Sequence, residues 1–113
     1  MNLNDCVFCN IANHTVSSTV VHEDDDVIIF KDILPQAPVH LQIIPKKHIP
    51  SVTDLTEDDA ALIGKMVMAG KKVAEEQGVA ETGYKLTFNV GKNGGQIIPH
   101  IHLHLMGGKQ LSE

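Results

Sequence analysis

Histidine occupies every second position from residue 100 to residue 104, and apolar residues fill the positions between them. Successive side chains of a β-strand point to opposite faces, so this spacing predicts one face that carries His100, His102 and His104. The apolar residues between them, beginning with Ile101, would then face a hydrophobic core. The closing segment 100–106 therefore predicts a strand that is apolar on one side and presents a row of imidazoles on the other.

Two kinds of chemistry use such a row of imidazoles. Alternate histidines of a strand can ligate zinc, or one imidazole can attack as a nucleophile while its neighbours handle protons and charge. Just upstream, Gly94 and Gly95 offer backbone N–H groups of the kind that bind phosphate in peptide nests. This loop favours phosphate chemistry, while zinc ligation by the row stays open.

The rest of the chain predicts an α+β domain. Apolar positions at steps of three and four predict one long helix, which Thr56 and Asp59 would begin and Gly78 would end. Asn4 and Asp5 would cap a short N-terminal helix. Alternating or β-branched runs predict four further strands, at 20–22, 27–30, 40–44 and 84–90. We expect a single domain over residues 1–113 with an antiparallel sheet of about five strands.

Charge and hydropathy exclude several classes of function. Nine Lys and Arg against fourteen Asp and Glu give a net charge of −5, which argues against sequence-independent nucleic-acid binding. No apolar run approaches the ~20 residues that cross a bilayer. The N-terminus lacks the basic start and apolar stretch of a signal peptide. We therefore expect a cytoplasmic protein with no nucleic-acid partner and no membrane association.

Both cysteines of the chain lie in the motif Cys6-Val7-Phe8-Cys9, which has the spacing of a zinc knuckle. The alternatives are a redox pair or two small buried apolar residues. A redox pair usually begins a helix in a thioredoxin-like βαβ unit, and the pattern predicts no such unit. A disulfide is not expected in a reducing compartment.

The run from Gly94 to Met106 resembles the signature of the histidine triad (HIT) family, His-φ-His-φ-His-φ-φ with φ apolar. The tail 107–110 is similar to that of the nucleotide-binding (Hint-like) branch. Further matches are the segments 23–25, 30–33, 35–38 and 44–49, together with His40. The resemblance spans about residues 5–110 and implies the HIT-like fold, with one long helix and one short N-terminal helix.

The resemblance also implies an activity. The chain would be a purine nucleoside phosphoramidase, a nucleotidyl hydrolase that acts on amine-linked nucleoside monophosphates through a nucleotidyl-histidine intermediate. His102 would be the nucleophile and His104 would serve the leaving group. Members of this branch are typically homodimers, so a homodimer is expected. Two other functions remain open: a nucleotide-binding interaction module with little catalysis, and a zinc hydrolase that uses the histidine row as ligands.

The family's nucleotide-binding positions carry over onto this chain. They are Val7, Phe8, Ile11, Phe30, Asp32, Ile33, Asn89, Gly95, Gln96 and Ile97. Among them, Asp32 would bind the ribose hydroxyls. Two residues depart from the family's pattern: Ile97 stands where the branch often has a polar residue, and Gln42 replaces a residue that is usually apolar.

The resemblance further implies a structural zinc ion, which the chemical step itself would not need. Its ligands would be Cys6, Cys9, His48 and His100, four protein ligands that complete a tetrahedron. His40 would support the site from the adjacent strand. We expect His14 and His22 to be surface residues. Lys46 and Lys47 would either steer phosphate or form a solvated basic pair.

Overall fold

A computed structural model of the chain describes residues 6–112. Its helices are α1 (Val7–Ala12) and α2 (Ala60–Glu76), and its strands are β1 (Val20–Glu23), β2 (Val27–Lys31), β3 (Val39–Pro45), β4 (Tyr84–Phe88) and β5 (Leu103–Gly107). The predicted α+β class is confirmed. Across residues 6–112, no helix combines the length and hydrophobicity that crossing a membrane requires.

The five strands form one antiparallel sheet in the order β1-β2-β3-β5-β4. The closing strand β5 lies in the interior of this sheet, between β3 and β4. Its register places His104 opposite Gln42 of β3 and opposite Thr87 of β4. Neighbouring strands on both sides therefore hold the backbone that carries His104.

One face of the sheet is covered by α2. Met66 and Val73 of this helix pack against Ile43 and Leu105 in the larger hydrophobic core. The residues that alternate with these on β3 and β5, including Gln42 and His104, point to the opposite face. Packing of one set of side chains against α2 therefore determines which side chains of the two central strands face away from the helix and can form a site.

The opposite face carries α1, which packs through Phe8 and Ile11 onto Ile28, Phe30 and Ile44 in a second, smaller core. A helix of six residues has too few hydrogen bonds to be stable alone, so these apolar contacts hold it in place. The site described below lies beside α1.

The predicted capping box is present, but it caps the 3₁₀ turn Glu57–Asp59, and α2 itself begins at Ala60; the end predicted at Gly78 agrees with the structure. The backbone N–H of Thr56 donates to Asp59 Oδ2 at 3.0 Å, which forms one arm of a capping box on the 3₁₀ turn that leads into the helix. Gly78 follows the helix with φ 77°, and the N–H of Val79 donates to the carbonyl of Ala74 at 3.1 Å.

Three predicted boundaries differ from the structure. The closing strand begins at Leu103 rather than at residue 100, because the N–H of Ile101 donates to the carbonyl of Ile49 at 2.6 Å instead of to a neighbouring strand. Strand β4 ends at Phe88, where the glycine-rich turn begins. The N-cap of α1 is Cys6, whose Sγ accepts from the N–H of Cys9 at 3.3 Å, and the predicted caps at residues 4 and 5 lie outside the described residues.

Two glycines of α2 offer a matched test of how closely the helix packs on the sheet. A Cβ on Gly70 would lie 2.7 Å from Ile43 Cδ1, whereas a Cβ on the exposed Gly64 would meet nothing within 4 Å. We expect Gly64→Ala to raise the free energy of unfolding by about 0.5–1 kcal/mol through helix propensity. We expect Gly70→Ala to lower it by about 1–2 kcal/mol, because the buried Ile43 must shift. Urea unfolding measures both, and equal gains from the two variants would contradict this packing.

Candidate active site

A cavity of about 700 Å³ opens beside α1, on the face of the sheet opposite α2. Both His102 and His104 line it. Of the ten residues predicted to meet a nucleotide, all but Gln96 line it as well. Its walls combine aromatic and aliphatic side chains with a few polar groups, which is typical of small-molecule sites.

His102 is buried at the floor of this cavity, and its orientation is set by one hydrogen bond. The Nδ1 atom lies 2.7 Å from the carbonyl oxygen of His100. A carbonyl can only accept, so Nδ1 carries the proton and Nε2 keeps a free lone pair. Phe8 packs edge-on against the ring at a centroid distance of 5.1 Å. Burial lowers the pKa of His102, which favours the neutral imidazole with Nε2 as its nucleophilic atom.

His104 belongs to a chain of hydrogen bonds that fixes its tautomer. The backbone N–H of Gln36 donates to His40 Nδ1 at 3.1 Å, so the proton of His40 lies on Nε2. That Nε2 lies 3.0 Å from His104 Nδ1, which therefore accepts. The remaining nitrogen of His104, Nε2, consequently carries an N–H. The rings of His102 and His104 lie 5.0 Å apart, so this donor is next to the nucleophilic imidazole.

The charge of His104 follows from its surroundings. Burial, followed by the nearby His102 and His40, lowers the pKa of His104 to about 4, and Asp32 opposes this only weakly. The ring is therefore neutral near pH 7 when the cavity holds no ligand. An anion in the cavity would favour the charged form.

Asp32 lies at the rim of the cavity with its carboxylate held from two sides. The backbone N–H of Leu34 donates to Oδ1 at 2.8 Å, and the side chain of Gln42 donates to Oδ2 at 2.6 Å. His40 Nε2 also lies 3.4 Å from Oδ2. These contacts orient the carboxylate before any ligand arrives.

The glycine-rich loop after β4 is braced from both sides. Asn89 donates through Nδ2 to the carbonyl of Gly94 at 2.8 Å, and Gly95 has φ 81°, a conformation that favours glycine. The side chain of Gln96 turns away from the cavity. Its Oε1 accepts from the hydroxyl of Ser51 at 2.8 Å, so this amide supports the loop and does not line the cavity. From this loop and its flanks, Asn89, Gly95, Ile97 and Ile98 line the cavity, and the side chain of Ile97 is exposed.

Beside the cavity, Cys6, Cys9, His48 and His100 bring one ligand atom each within 4.8 Å of the others. Cys9 Sγ lies 3.1 Å from His48 Nδ1 and 3.4 Å from His100 Nδ1, and the two Nδ1 atoms are 3.2 Å apart. Tetrahedral zinc with sulfur and nitrogen ligands requires separations of roughly 3.3–3.8 Å. The separation of 3.4 Å falls within this range, and those of 3.1 and 3.2 Å are slightly shorter than it. The donor set therefore suits a zinc ion, and the ligands would move apart by a few tenths of an ångström to hold it.

Two further observations agree with this fit. His100 Nε2 lies 2.9 Å from the carbonyl of Pro45, so Nε2 carries the proton and Nδ1 keeps its lone pair toward the thiols, as a metal ligand requires. Burial and the adjacent Cys6 raise the pKa of Cys9 to about 11, so a metal ion would have to displace the proton of this thiol in order to bind. Both cysteines are free thiols.

Four basic side chains of the sequence motifs lie away from the cavity and pair with acids. The pairs are His14 with Glu23 at 2.8 Å, His22 with Asp24 at 3.0 Å, Lys46 with Glu23 at 2.7 Å and Lys47 with Asp59 at 2.8 Å. His14 is exposed, as predicted, whereas His22 is half-buried rather than a surface residue. The two lysines form ion pairs, so they do not face the cavity as phosphate-steering groups.

Sequence reasoning missed Lys85, Thr87 and Met106, which also line the cavity. The period-two pattern of β4 could have revealed two of them, because Lys85 and Thr87 alternate with the core residue Leu86. The tautomer-fixing contact from Gln36 to His40 had no sequence signal, since a backbone N–H donor depends on the path of the loop.

Comparison with known proteins identifies relatives of this chain. The family model described as "Scavenger mRNA decapping enzyme C-term binding" matches residues 5–113. The chain is 42% identical to a protein named purine nucleoside phosphoramidase from Escherichia coli K12, over 95% of this chain and 90% of the relative.

Solved structures of histidine triad proteins are also similar to this chain. A HIT family hydrolase from Legionella pneumophila is 49% identical with a TM-score of 0.94, covering 96% of each chain. A histidine triad protein from Clostridium difficile is 39% identical with a TM-score of 0.96, covering 100% of this chain and 98% of that one. A zinc-bound histidine triad family protein from Mycobacterium smegmatis is 27% identical with a TM-score of 0.81, over 96% of this chain and 78% of that one.

The lowered pKa of His104 predicts how stability depends on pH. The folded pKa of about 4 lies below the ordinary value of 6.5, so between these values the unfolded chain binds a proton that the folded chain does not. Stability is therefore lost as the pH falls through this window. Between pH 7 and pH 5 we expect the free energy of unfolding to fall by on the order of 1 kcal/mol more in the wild type than in His104→Gln, after discounting for partial exposure.

Urea unfolding at several pH values measures this difference. His14→Gln serves as the control, because it makes the same change at an exposed histidine that does not line the cavity. Parallel pH profiles for the wild type and His104→Gln would contradict the prediction.

Proposed function

This chain belongs to the histidine triad family, and from that premise we propose that it acts as a purine nucleoside phosphoramidase. The reaction would cleave the P–N bond between a purine nucleoside monophosphate and an amine. The observation that carries the proposal is the hydrogen bond from His102 Nδ1 to the His100 carbonyl, which leaves the Nε2 lone pair of a neutral imidazole at the cavity floor.

The shape of the cavity supports a nucleoside in a defined orientation. Phe8, Ile11 and Phe30 form an apolar wall that suits a purine base. Asp32, at the rim and already oriented, is placed to accept hydrogen bonds from ribose hydroxyls. The loop at Gly95 borders the phosphate, although the N–H groups of Gly95 and Gln96 already donate to the carbonyls of Lys92 and Gly91, so the predicted phosphate nest is not free at these two positions. In this orientation the phosphorus lies near His102.

The chemical step we propose begins with attack by His102. Nε2 forms a bond to phosphorus, the P–N bond breaks, and its electron pair stays on the amine nitrogen. The proton on Nε2 of His104 goes to that nitrogen, and the bound anionic phosphate favours the charged form of His104 that can supply it. Water then attacks the phosphorus and gives a proton to His104, while the bond between phosphorus and His102 Nε2 breaks and its electron pair returns to Nε2. This step releases the nucleoside monophosphate and restores both histidines.

Removal of the nucleophile tests this mechanism. We expect His102→Ala to lower kcat/KM for adenosine 5′-phosphoramidate by at least about 1,000-fold, while the Kd for AMP changes little. Mass spectrometry after rapid acid quench should show a nucleotidyl adduct on the wild type and none on the variant. His14→Ala, an exposed histidine outside the cavity, is the control.

Two results would contradict the assignment. Undiminished turnover by His102→Ala would remove His102 as the nucleophile. A wild-type protein that binds AMP but shows neither turnover nor adduct would instead be a nucleotide-binding interaction module.

We also propose a structural zinc ion held by Cys6, Cys9, His48 and His100. The ligand distances and the zinc-bound mycobacterial relative support this assignment. Four protein ligands leave no open coordination position, so the metal would stabilise the fold rather than activate water. Both cysteines lie on or next to α1, so the metal would connect this short helix to His48 and His100.

Loss of one ligand tests the zinc site. We expect the wild type to contain about one zinc per chain by elemental analysis, and Cys9→Ser to lose it together with several degrees of Tm. Turnover below the lowered Tm should persist. His22→Asn, a histidine that pairs with Asp24 away from the cluster, is the control. Chelation that abolishes turnover without loosening the fold would instead indicate a catalytic metal.

Two further expectations stay predictions. A homodimer is supported by β4, which has one strand neighbour among the described residues, and by Val67 and Met68, which are exposed on α2. A cytoplasmic location is supported by the two free thiols, which suit a reducing compartment.

A further inference from the structure

The amide nitrogen of the Gln42 side chain has a hydrogen-bond partner, but within the described part of the chain its amide oxygen has none. Gln42 is 6% exposed on the central strand β3, and its Nε2 donates to Asp32 Oδ2 at 2.6 Å. Its Oε1 is buried, and of the side-chain nitrogen and oxygen atoms buried within residues 6–112 it is the one without a hydrogen-bond partner. A buried acceptor with no donor has lost its water without gaining a replacement, so it requires an explanation.

Reversing the amide does not remove the difficulty. If the oxygen and nitrogen of Gln42 exchanged places, Oε1 would lie against the Asp32 carboxylate, and two acceptors would face each other at 2.6 Å. The carboxylate therefore fixes the orientation of the amide, and Oε1 is left to accept from something else.

The nearby protein donors are already in use. The N–H of His40 points to His104 Nδ1, and the N–H of Leu34 points to Asp32 Oδ1. Gln42 lines the cavity, so the missing donor can come from a ligand there. The terminal torsion of glutamine has a broad minimum, so the amide can rotate to bring the buried Oε1 toward a ligand in the cavity.

Protein donors already occupy some of the hydrogen-bond acceptor positions of the Asp32 carboxylate, so only the others can bind a sugar. Oδ2 accepts from Gln42 and has His40 at 3.4 Å, and Oδ1 already accepts from Leu34. Because the N–H of His40 is directed to His104, each carboxylate oxygen has about one acceptor position left, and a ribose presents two hydroxyl donors on adjacent carbons. An acceptor beside Asp32 allows the two hydroxyls to bind two residues, and this arrangement gives the buried Oε1 of Gln42 its missing donor.

We propose that Gln42 is a specificity-determining residue, whose Oε1 accepts from one hydroxyl of the ribose diol while Asp32 accepts from the other. This inference rests on the proposed function, because it assumes a nucleoside in the cavity. The substrate class is then ribonucleotides with both the 2′- and 3′-hydroxyls free. A deoxy analogue leaves one buried acceptor unpaired, and sites of this kind reject such analogues strongly.

The test compares nucleotide binding by the wild type and Gln42→Met, which keeps the length of the side chain and removes its amide. Calorimetry gives the Kd for AMP, 2′-deoxy-AMP and 3′-deoxy-AMP. The wild type should bind AMP at least 10-fold more tightly than one of the two deoxy analogues. In Gln42→Met that ratio should fall to about 3-fold or less, because AMP loses the bond that the analogue already lacks.

The ratio separates recognition from general damage, since a loosened cavity weakens all three ligands together. Gln42→Leu is the second variant in case Gln42→Met does not fold. Gln110→Met makes the same chemical change at an exposed position outside the cavity and should leave the ratio unchanged. Equal ratios in the wild type and both Gln42 variants would overturn the inference, as would equal binding of all three nucleotides by the wild type.

A turnover assay with adenosine 5′-phosphoramidate distinguishes this inference from the proposed function. If the wild type turns the substrate over but the Gln42 variants keep the wild-type ratio of deoxy-AMP to AMP Kd values, the inference is overturned and the proposed function stands. Ribose-selective binding that Gln42 controls, without turnover, supports the inference and overturns the function. A wild type that does not bind AMP overturns both.

Discussion

The antiparallel pairing of β3 with β5 is the constraint on which the site depends. It places Gln42 opposite His104, and it buries Ile43 and Leu105 under α2 so that their neighbours face the cavity. A slip of one residue in this register would turn every cavity residue of the two strands into the core. The hydrophobic contacts with α2 oppose such a slip, so packing on one face of the sheet secures the chemistry on the other.

His100 connects the two clusters of the site. Its ring turns toward Cys6 and Cys9, while its backbone carbonyl accepts a hydrogen bond from the N–H at His102 Nδ1. The segment 100–102 leaves the strand ladder, and this departure allows one residue to serve both clusters. In a regular strand, that carbonyl would have accepted a hydrogen bond from a neighbouring strand.

The pattern of residues predicted the α+β class and the approximate position of each strand, because alternation and capping signals are local. The cavity-lining residues were predicted mainly by the family resemblance. The boundary at Leu103 was not predicted, since it depends on a long-range hydrogen bond from Ile101 to Ile49. The outward turn of Gln96 and the path from Gln36 to His40 depend on loop conformation in the same way. Pairwise contacts between distant segments leave no periodic trace in a sequence.

The six residues of α1 have a consequence for thermodynamics. The helix places Phe8 and Ile11 in the cavity wall and Cys9 in the thiol–imidazole cluster. Because so short a helix is held mainly by its contacts, occupation of either place reduces the conformational entropy that the other occupant must remove. If the cluster holds a cation and the cavity a nucleoside, their affinities would be coupled with equal strength in both directions. A helix of six residues would then be a thermodynamic link between the two.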